Sequence, residues 1–381
     1  VTLGLFWGAW AAVLPSVQEA TGASKGALGL ALLFVIAGAI PSMLLIGGPL
    51  VERYGAPAVA VLCAVFAAVS TLPGFAGSLP FLILALAATG AASGALDVGI
   101  NANAAQIEAT TGKRVMPLAH GLYSVGILVG AVAAGLARSE GVGREWILVA
   151  ASLTSVVAAL LLAADRSLSH PVAVPVPGRR SLRFERVLVL IGLVGAAAFI
   201  VEGGIESWSA IFLEHQLHAE PAVSGLGPGV FAASMALGRF FGQATRLGDR
   251  VLLAGGAGLA AVGCVVAAAA PVAAVALIGF ALAGAGISLN APVVFGAGGR
   301  RGANAVATVT TIGYVGLLIG PALVGGVAQA ASLRGSLVVL AVVGGGRGGG
   351  RAPPARPARR ARGGRPRGGG APDPGPALTR R

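Results

Sequence analysis

The sequence predicts an all-α membrane protein of about twelve spans arranged as two related halves. Three observations carry this. First, of 381 residues 56% are hydrophobic and 11% charged, with a mean hydropathy of +0.85. Soluble domains carry roughly 25% charged residues, so the chain lacks the polar surface to cover a soluble fold. Second, long apolar runs without strand-like alternation are separated by short polar loops, which favours spanning helices over a barrel. Third, a charged segment framed by glycines, Gly48-Pro49-Leu50-Val51-Glu52-Arg53-Tyr54-Gly55, lies between two such runs. It has a looser echo in Gly238-Arg239-Phe240-Phe241-Gly242 and Arg246-Leu247-Gly248-Asp249-Arg250. Two copies point to a duplication.

A membrane helix needs roughly 20 apolar residues. Spans are expected near 1–18, 27–50, 57–76, 79–103, 117–137 and 146–164, giving a first transmembrane half over 1–164. A polar linker follows at 165–186. The second half, 187–343, holds spans near 187–213, 222–243, 251–270, 272–297 and 304–331, and Leu337–Val343 as a remnant of a twelfth. The first run opens at Val1 without a basic lead, so the first helix is expected to be cut short and the twelfth incomplete. That run also lacks the basic start and small-residue cleavage site of a removable leader.

Residues 344–381 are almost entirely Gly, Arg, Pro and Ala, cannot bury a core, and are expected to be disordered. Their abrupt start inside span twelve points to a frameshift in GC-rich coding DNA. The alternative is a genuine basic tail that holds anionic lipid. The tail supplies ten arginines and one acid, Asp373, hence +9 of the net +13. A nucleic-acid function would rest on that tail alone, and none is expected. The two cysteines, Cys63 and Cys264, sit inside apolar runs and suggest neither a disulfide nor a metal site.

Loop charge sets the expected orientation. Connections 2–3, 4–5, 6–7, 8–9 and 10–11 hold thirteen basic residues, Arg53, Arg239 and Arg250 among them. The odd connections hold four: Lys25, Arg138, Arg144 and Arg334. Basic loops stay in the cytoplasm. The linker and both termini are therefore expected there, in a multi-pass protein of a bacterial inner membrane.

The six-plus-six plan, the basic linker and the Gly48–Gly55 segment resemble the major facilitator superfamily. Gly48, Leu50, Glu52, Arg53 and Gly55 match its 2–3 loop pattern, whereas Ala56-Pro57 replaces the usual basic pair. The resemblance implies two pseudo-repeated six-helix halves working by alternating access. It also implies a gating role for Gly48, Glu52, Arg53 and Gly55, and for Gly238, Arg239 and Gly242 of the echo. Gly48 would let helix ends approach closely, and Glu52 would accept from the amides of a neighbouring helix terminus. Five stretches resemble the fucose-permease-like branch: Leu96–Asn103, Leu118–Tyr123, Glu202–Trp208, Leu289–Pro292, and Gly313–Gly316 with Gly320-Pro321.

Ionisable groups inside a span are costly and usually face a watery interior. Asp97 lies in span four, with Asn101 one turn on and on the same face. A carboxylate in such a cavity can take and release a proton near neutral pH, and the resembled branch has an acid at this position in proton coupling. The alternative is an acid paired with a neighbouring helix. Glu202 matches an acid of span seven in that branch, and Glu206, one turn on, is expected to be solvated. His120 could shuttle protons or contact backbone and headgroups. Proton coupling is thus assigned to Asp97, Glu202 and His120. Solute binding is assigned to Asn101, Asn290, Tyr123 and Trp208; interhelical hydrogen bonding is the alternative for the asparagines, and belt anchoring for Trp208, as for Trp146.

No Walker loop, zinc motif or hydrolase triad is present, so neither ATP-driven transport nor catalysis is expected, and no cofactor or metal. The expectation is a monomeric secondary transporter that carries a small solute with protons through the lipid bilayer. A sugar-like or other polar metabolite is favoured, and drug or metabolite efflux by proton antiport is the alternative. A rival of another class is a membrane sensor or scaffold that keeps the fold, or an inactive truncated product.

Overall fold

In hydrocarbon every backbone polar group must be satisfied within the protein, and a chain this apolar does so by forming helices. The computed structural model describes residues 1–113, 115–164, 185–242, 245, 247–299, 301 and 303–346. Most of the linker and the tail from 347 lie outside the described residues, as do Arg114, Arg246 and Arg300. So do the disorder and charge expectations attached to them.

The first half comprises α1 (Thr2–Thr21), α2 (Lys25–Ser42), α3 (Gly48–Tyr54), α4 (Ala56–Val69), α5 (Leu79–Thr111), α6 (Met116–Ser139) and α7 (Arg144–Ala164). A π-helical turn, Met43–Gly47, joins α2 to α3 in one rod, and the 3-10 turn Leu72–Phe75 follows α4. The second half comprises α8 (Arg186–Leu217), the short α9 (Pro221–Ser224), α10 (Leu226–Gly242), α11 (Asp249–Ala269), α12 (Ala273–Ile287), α13 (Asn290–Gly299), α14 (Ala303–Ala330) and α15 (Leu333–Gly345). Among the described residues nine helical rods are long and apolar enough to cross a membrane. With α1 (20 residues), α10 (17) and α15 (13) there are twelve. At 1.5 Å per residue α15 rises only about 20 Å, against a hydrocarbon layer of about 30 Å.

Local chemistry sets the boundaries. Ser24 caps α2 by accepting the Ala27 amide at 3.2 Å, and Ser332 caps α15 by accepting that of Gly335 at 3.0 Å. Gly55, at φ 63° and ψ −139°, turns the chain from α3 into α4, a conformation side chains disfavour. The few arginines of the odd connections tie helix ends together. Arg144 donates to the Ala76 carbonyl at 3.3 Å, and Arg334 donates to those of Ala268 (2.5 Å) and Ala270 (2.9 Å).

The duplication shows in the packing partners. In the first half the first rod packs on the fifth (α1 on α6), the second on the fourth (α2 on α5) and the third on the sixth (α4 on α7). The second half repeats this, with α8 on α14, α10 on α12, and α11 on α15. The halves meet where α2 packs on α14, α6 on α9 and α10, and α1 on α8 and α10.

Candidate functional site

A set of polar side chains converges from both halves, Asp97 and Glu202 from the middle of their helices and His120 and Arg239 from near the ends of theirs. Asp97, half-buried, lies midway along α5. One turn on, the Asn101 amide donates to the Asp97 main-chain carbonyl at 2.9 Å, and its side chain faces the Asp97 carboxylate. Asn103 instead donates to the carbonyl of Gly99 at 2.8 Å, on its own helix. His120, exposed near the start of α6, lies within electrostatic reach of Asp97. Three residues on, Tyr123 is within reach of Asp97, Glu202, Glu206 and Arg239 together. Glu202 and Glu206 share one face of α8, and both are half-buried rather than freely solvated. Tyr314 of α14 completes the group, within reach of Asp97 and Glu202. Its ring lies 5.8 Å from that of Phe199, which in turn lies 6.1 Å from Phe295.

Arg239 does not behave as a loop cation. It lies inside α10, and its Nη2 is 3.9 Å from Glu202 Oε1. Its Nε donates to the Ser288 carbonyl at 3.2 Å, and Nη2 approaches Met235 Sδ at 3.4 Å. Gly238 and Gly242 press α10 onto the junction of α12 and α13: a Cβ on Gly238 would lie 2.8 Å from the Ser288 Cβ, and one on Gly242 would lie 2.5 Å from a methyl of Leu289. Of the three arginines in the loop-motif echo, Arg239 faces the interior.

At the first copy the structure corrects the glycine. A Cβ on Gly48 would meet nothing nearer than the Met43 carbonyl at 3.5 Å, whereas one on Gly47 would lie 2.7 Å from the Ala95 carbonyl oxygen. Gly47, not Gly48, is where the second rod meets α5. Accordingly Gly48→Ala should leave thermal stability unchanged, and Gly47→Ala should lower the melting temperature by a few degrees, as about 1–3 kcal/mol of overpacking requires. Equal melting temperatures would refute the assignment. Glu52 and Arg53 are exposed, and Arg53 stacks 5.2 Å from the Tyr54 ring centre. Among the described residues no hydrogen bond joins Glu52 to a neighbouring helix terminus.

Two solute-binding assignments change. Trp208 is 2% exposed and donates from Nε1 to the Pro321 carbonyl at 3.0 Å. It fills the α8–α14 seam, neither anchoring at an interface nor lining the central space. Trp146, by contrast, is 62% exposed. Asn290 is 7% exposed and its Nδ2 finds no partner among the described residues. It lines a recess with Ala198, Leu252, Ile287 and Gly344, on the side of α12–α13 that meets α11. Tyr123 and Asn101 remain beside Asp97.

One charged assembly is absent from the sequence expectations. Arg138, in the last turn of α6, grips Glu214 of α8 with two bonds, Nη1 to Oε1 at 2.5 Å and Nη2 to Oε2 at 3.0 Å. It also donates to Ser16 Oγ and to the Ala12 carbonyl of α1, both at 2.9 Å. Ser224 of α9 donates to Glu214 as well. The two charged side chains are 8% and 12% exposed. This buried fork joins the halves at the end carrying the α1–α2, α6–α7 and α8–α9 connections. Close glycine approaches between the halves, Gly29 with Gly325 and Gly135 with Gly225, fall toward the same end. The only hint in the sequence is that an arginine and a glutamate each close an apolar run.

Residues 1–321 match the profile of the Major Facilitator Superfamily. The chain is 35% identical over 345 residues to an MFS-type transporter of Yersinia pestis, covering 87% of each chain. It is 29% identical over 354 residues to the membrane protein MosC of Rhizobium meliloti, covering 90% of this chain and 84% of that one. Among solved structures it is similar to a variant of the nucleoside transporter NupG (TM-score 0.72, 13% identity, covering 90% of this chain and 94% of that one). It is also similar to the xylose transporter XylE from E. coli in a partially occluded inward-open conformation (TM-score 0.65, 14% identity, covering 90% and 93%). At such identities the two structures speak to the fold.

Proposed function

This chain belongs to the Major Facilitator Superfamily, and from that premise we propose that it carries a small polar solute across a bacterial inner membrane, coupled to protons. Membership makes it a multi-pass membrane transporter rather than an enzyme. The observation that carries the finer reading is the meeting of Asp97, Asn101, Tyr123, Glu202, Glu206, Arg239 and Tyr314 between the halves. Carboxylates, an amide and phenols together offer donors and acceptors to a polyol or sugar-like solute, and the carboxylates offer places for a proton. The motif stretches around Asp97, His120 and Glu202 support a place near the fucose-permease-like branch. The chain acts as a monomer in this reading.

Loop charge orients the molecule. The end sealed by Arg138 and Glu214 carries the connections poor in basic residues, so it faces outward, and the linker and termini face the cytoplasm. The end with exposed Glu52, Arg53 and His120 then opens inward. One observation favours a second reading: the rings of Phe199, Phe295 and Tyr314 form an aromatic wall suited to efflux of flat apolar compounds.

Flux in proteoliposomes under an imposed pH gradient, screened over sugars, nucleosides and cationic dyes, tests both. We expect uphill accumulation of a polar solute with the gradient; expulsion of dyes alone would favour efflux. Asp97→Asn is expected to retain exchange of solute down its gradient and to lose uphill accumulation about tenfold or more. An Asp97→Asn protein that still concentrates solute against its gradient would refute the coupling role. Flux of no compound by a stably folded protein would favour the sensor or scaffold.

A further inference from the structure

The tenth rod is interrupted at Ser288 and Leu289, between α12 and α13. The sequence explains the interruption. In a continuous helix the Ser288 carbonyl would accept from the residue four positions on, but that residue is Pro292, which has no N–H and whose ring crowds that carbonyl. A carbonyl freed inside a bilayer needs another donor. Arg239 Nε supplies it at 3.2 Å. The same guanidinium faces Glu202 on α8 at 3.9 Å, beyond hydrogen-bond length but close enough for strong attraction. Its Nη1 has no protein partner among the described residues.

We propose that Arg239 is a positioning residue that ties the charge of Glu202 to the geometry of the α12–α13 break. A guanidinium is planar and rigid, so it cannot move toward one partner without changing its angle to the other. Ionised Glu202 pulls the fork toward α8. Neutral Glu202 leaves it to the Ser288 carbonyl, and leaves Nη1 and Nη2 to water or to an acceptor oxygen of a solute. Since Gly238 and Gly242 hold α10 against Ser288 and Leu289, a turn of the Arg239 side chain acts directly on the joint between α12 and α13. Other titratable groups face this pair: Glu206 on α8, Tyr123 on α6 and Tyr314 on α14, with Asp97 on α5 within reach of both tyrosines and of His120. The inference rests on the proton-coupled reading above, but its test needs no solute.

The test places spin labels at Tyr54→Cys on α3 and Gly296→Cys on α13, both exposed, in a background with Cys63→Ala and Cys264→Ala. Distances are measured in lipid nanodiscs from about pH 5 to about pH 8. The wild-type background is expected to show two distance populations whose ratio changes up to about tenfold per pH unit, as one linked proton requires. Glu202→Gln is expected to hold the acid-side distribution at every pH. Arg239→Lys, which keeps the charge but loses the fork, should reduce the pH response, whereas Glu206→Gln should retain it. A Glu202→Gln protein that follows pH as the background does would overturn the proposal, as would a background whose distances ignore pH. Glu202→Gln is nearly isosteric, so the test survives if an Arg239 variant fails to fold. Failure of the transport reading would appear separately, as absent flux with the distance response intact.

Discussion

In the orientation proposed above, Arg138→Leu is expected to unseal the outward-facing end of the transporter. The substitution removes four hydrogen bonds that link α6 to α1 and α8, and it leaves the Glu214 carboxylate buried at 12% exposure without its cation. Breaking a buried pair from one side costs about 3–5 kcal/mol, because the remaining charge is uncompensated. In a rigid protein that cost would fall on stability. Under the proposed alternating access the halves separate and rehydrate Glu214, so most of it should appear as a population shift. Each 1.4 kcal/mol is about tenfold, so a shift of a hundredfold or more toward the outward-open state is within reach. A cysteine at Leu128→Cys, which lies beneath the seal against Gly229, reports it by its reaction with a membrane-impermeant thiol reagent added outside. The native Cys63 and Cys264 are buried and should stay silent. Adding Glu214→Gln should recover part of the effect, since no stranded charge then remains. The neighbouring pair of His215 and Glu19, 3.7 Å apart with Glu19 at 68% exposure, is a built-in control. Exposed pairs contribute about 0–1 kcal/mol, so Glu19→Gln should leave labelling near its original rate. Unchanged labelling in Arg138→Leu would show that the fork is not the seal.

The rods, their order and the duplication could be read from hydropathy because burial in lipid demands long apolar runs whatever their partners. An interior position could be read only where an ionisable residue falls in the middle of an apolar run, as with Asp97 and Glu202, both half-buried. Arg138 escaped, and Arg239 was assigned to the gate and not to the interior, because an arginine near the end of an apolar run looks like a loop marker. Its snorkelling length hides whether the head group faces water, lipid or a carboxylate on another rod. Trp208 and Trp146 are equivalent in sequence terms, each near the end of a run, yet one is sealed in a seam and the other exposed. Only the partner helix distinguishes them. Gly47 and Gly48 differ for the same reason: they are adjacent in the chain but a third of a turn apart, and Ala95 lies on one side only. Pro292 was visible in the sequence. That its missing N–H strands the Ser288 carbonyl opposite Arg239 required knowing which helix α10 touches.

Gly316→Leu is expected to prevent the second half from folding, while Gly325→Leu, nine residues further along α14, should leave it folded and loosen the seal that Arg138 and Glu214 close. The α8–α14 seam is a backbone-to-backbone contact. A Cβ on Gly316 would lie 2.5 Å from the Ala196 carbonyl carbon and 2.6 Å from its Cα, and one on Gly320 would lie 2.6 Å from the Ile200 carbonyl oxygen. With apolar lipid on the outside, helices in a bilayer associate through such close packing and have little else to hold them. Pro321 frees the Leu317 carbonyl by lacking an N–H, and that carbonyl faces Gly203 on α8, where a Cβ would lie only 3.1 Å away. The Pro321 carbonyl in turn receives the Trp208 indole. A leucine at 316 would push the rods apart and break this register over several turns, a loss above the usual 1–3 kcal/mol of overpacking because the obstacle is backbone. At Gly325 the near neighbours belong mainly to the other half: the Lys25 carbonyl oxygen at 2.6 Å and the Gly29 Cα at 2.9 Å, with the Trp208 ring also at 2.9 Å. Crowding there can be relieved by the halves parting. Gly326, with nothing within 4 Å, should accept alanine without loss. Thermal unfolding in detergent should therefore show Gly316→Leu collapsed or unexpressed and Gly325→Leu and Gly326→Ala near wild type. Only Gly325→Leu should quicken outside labelling of the Leu128→Cys reporter. A Gly325→Leu protein as unstable as Gly316→Leu would mean that the two halves fold as one block and do not rock.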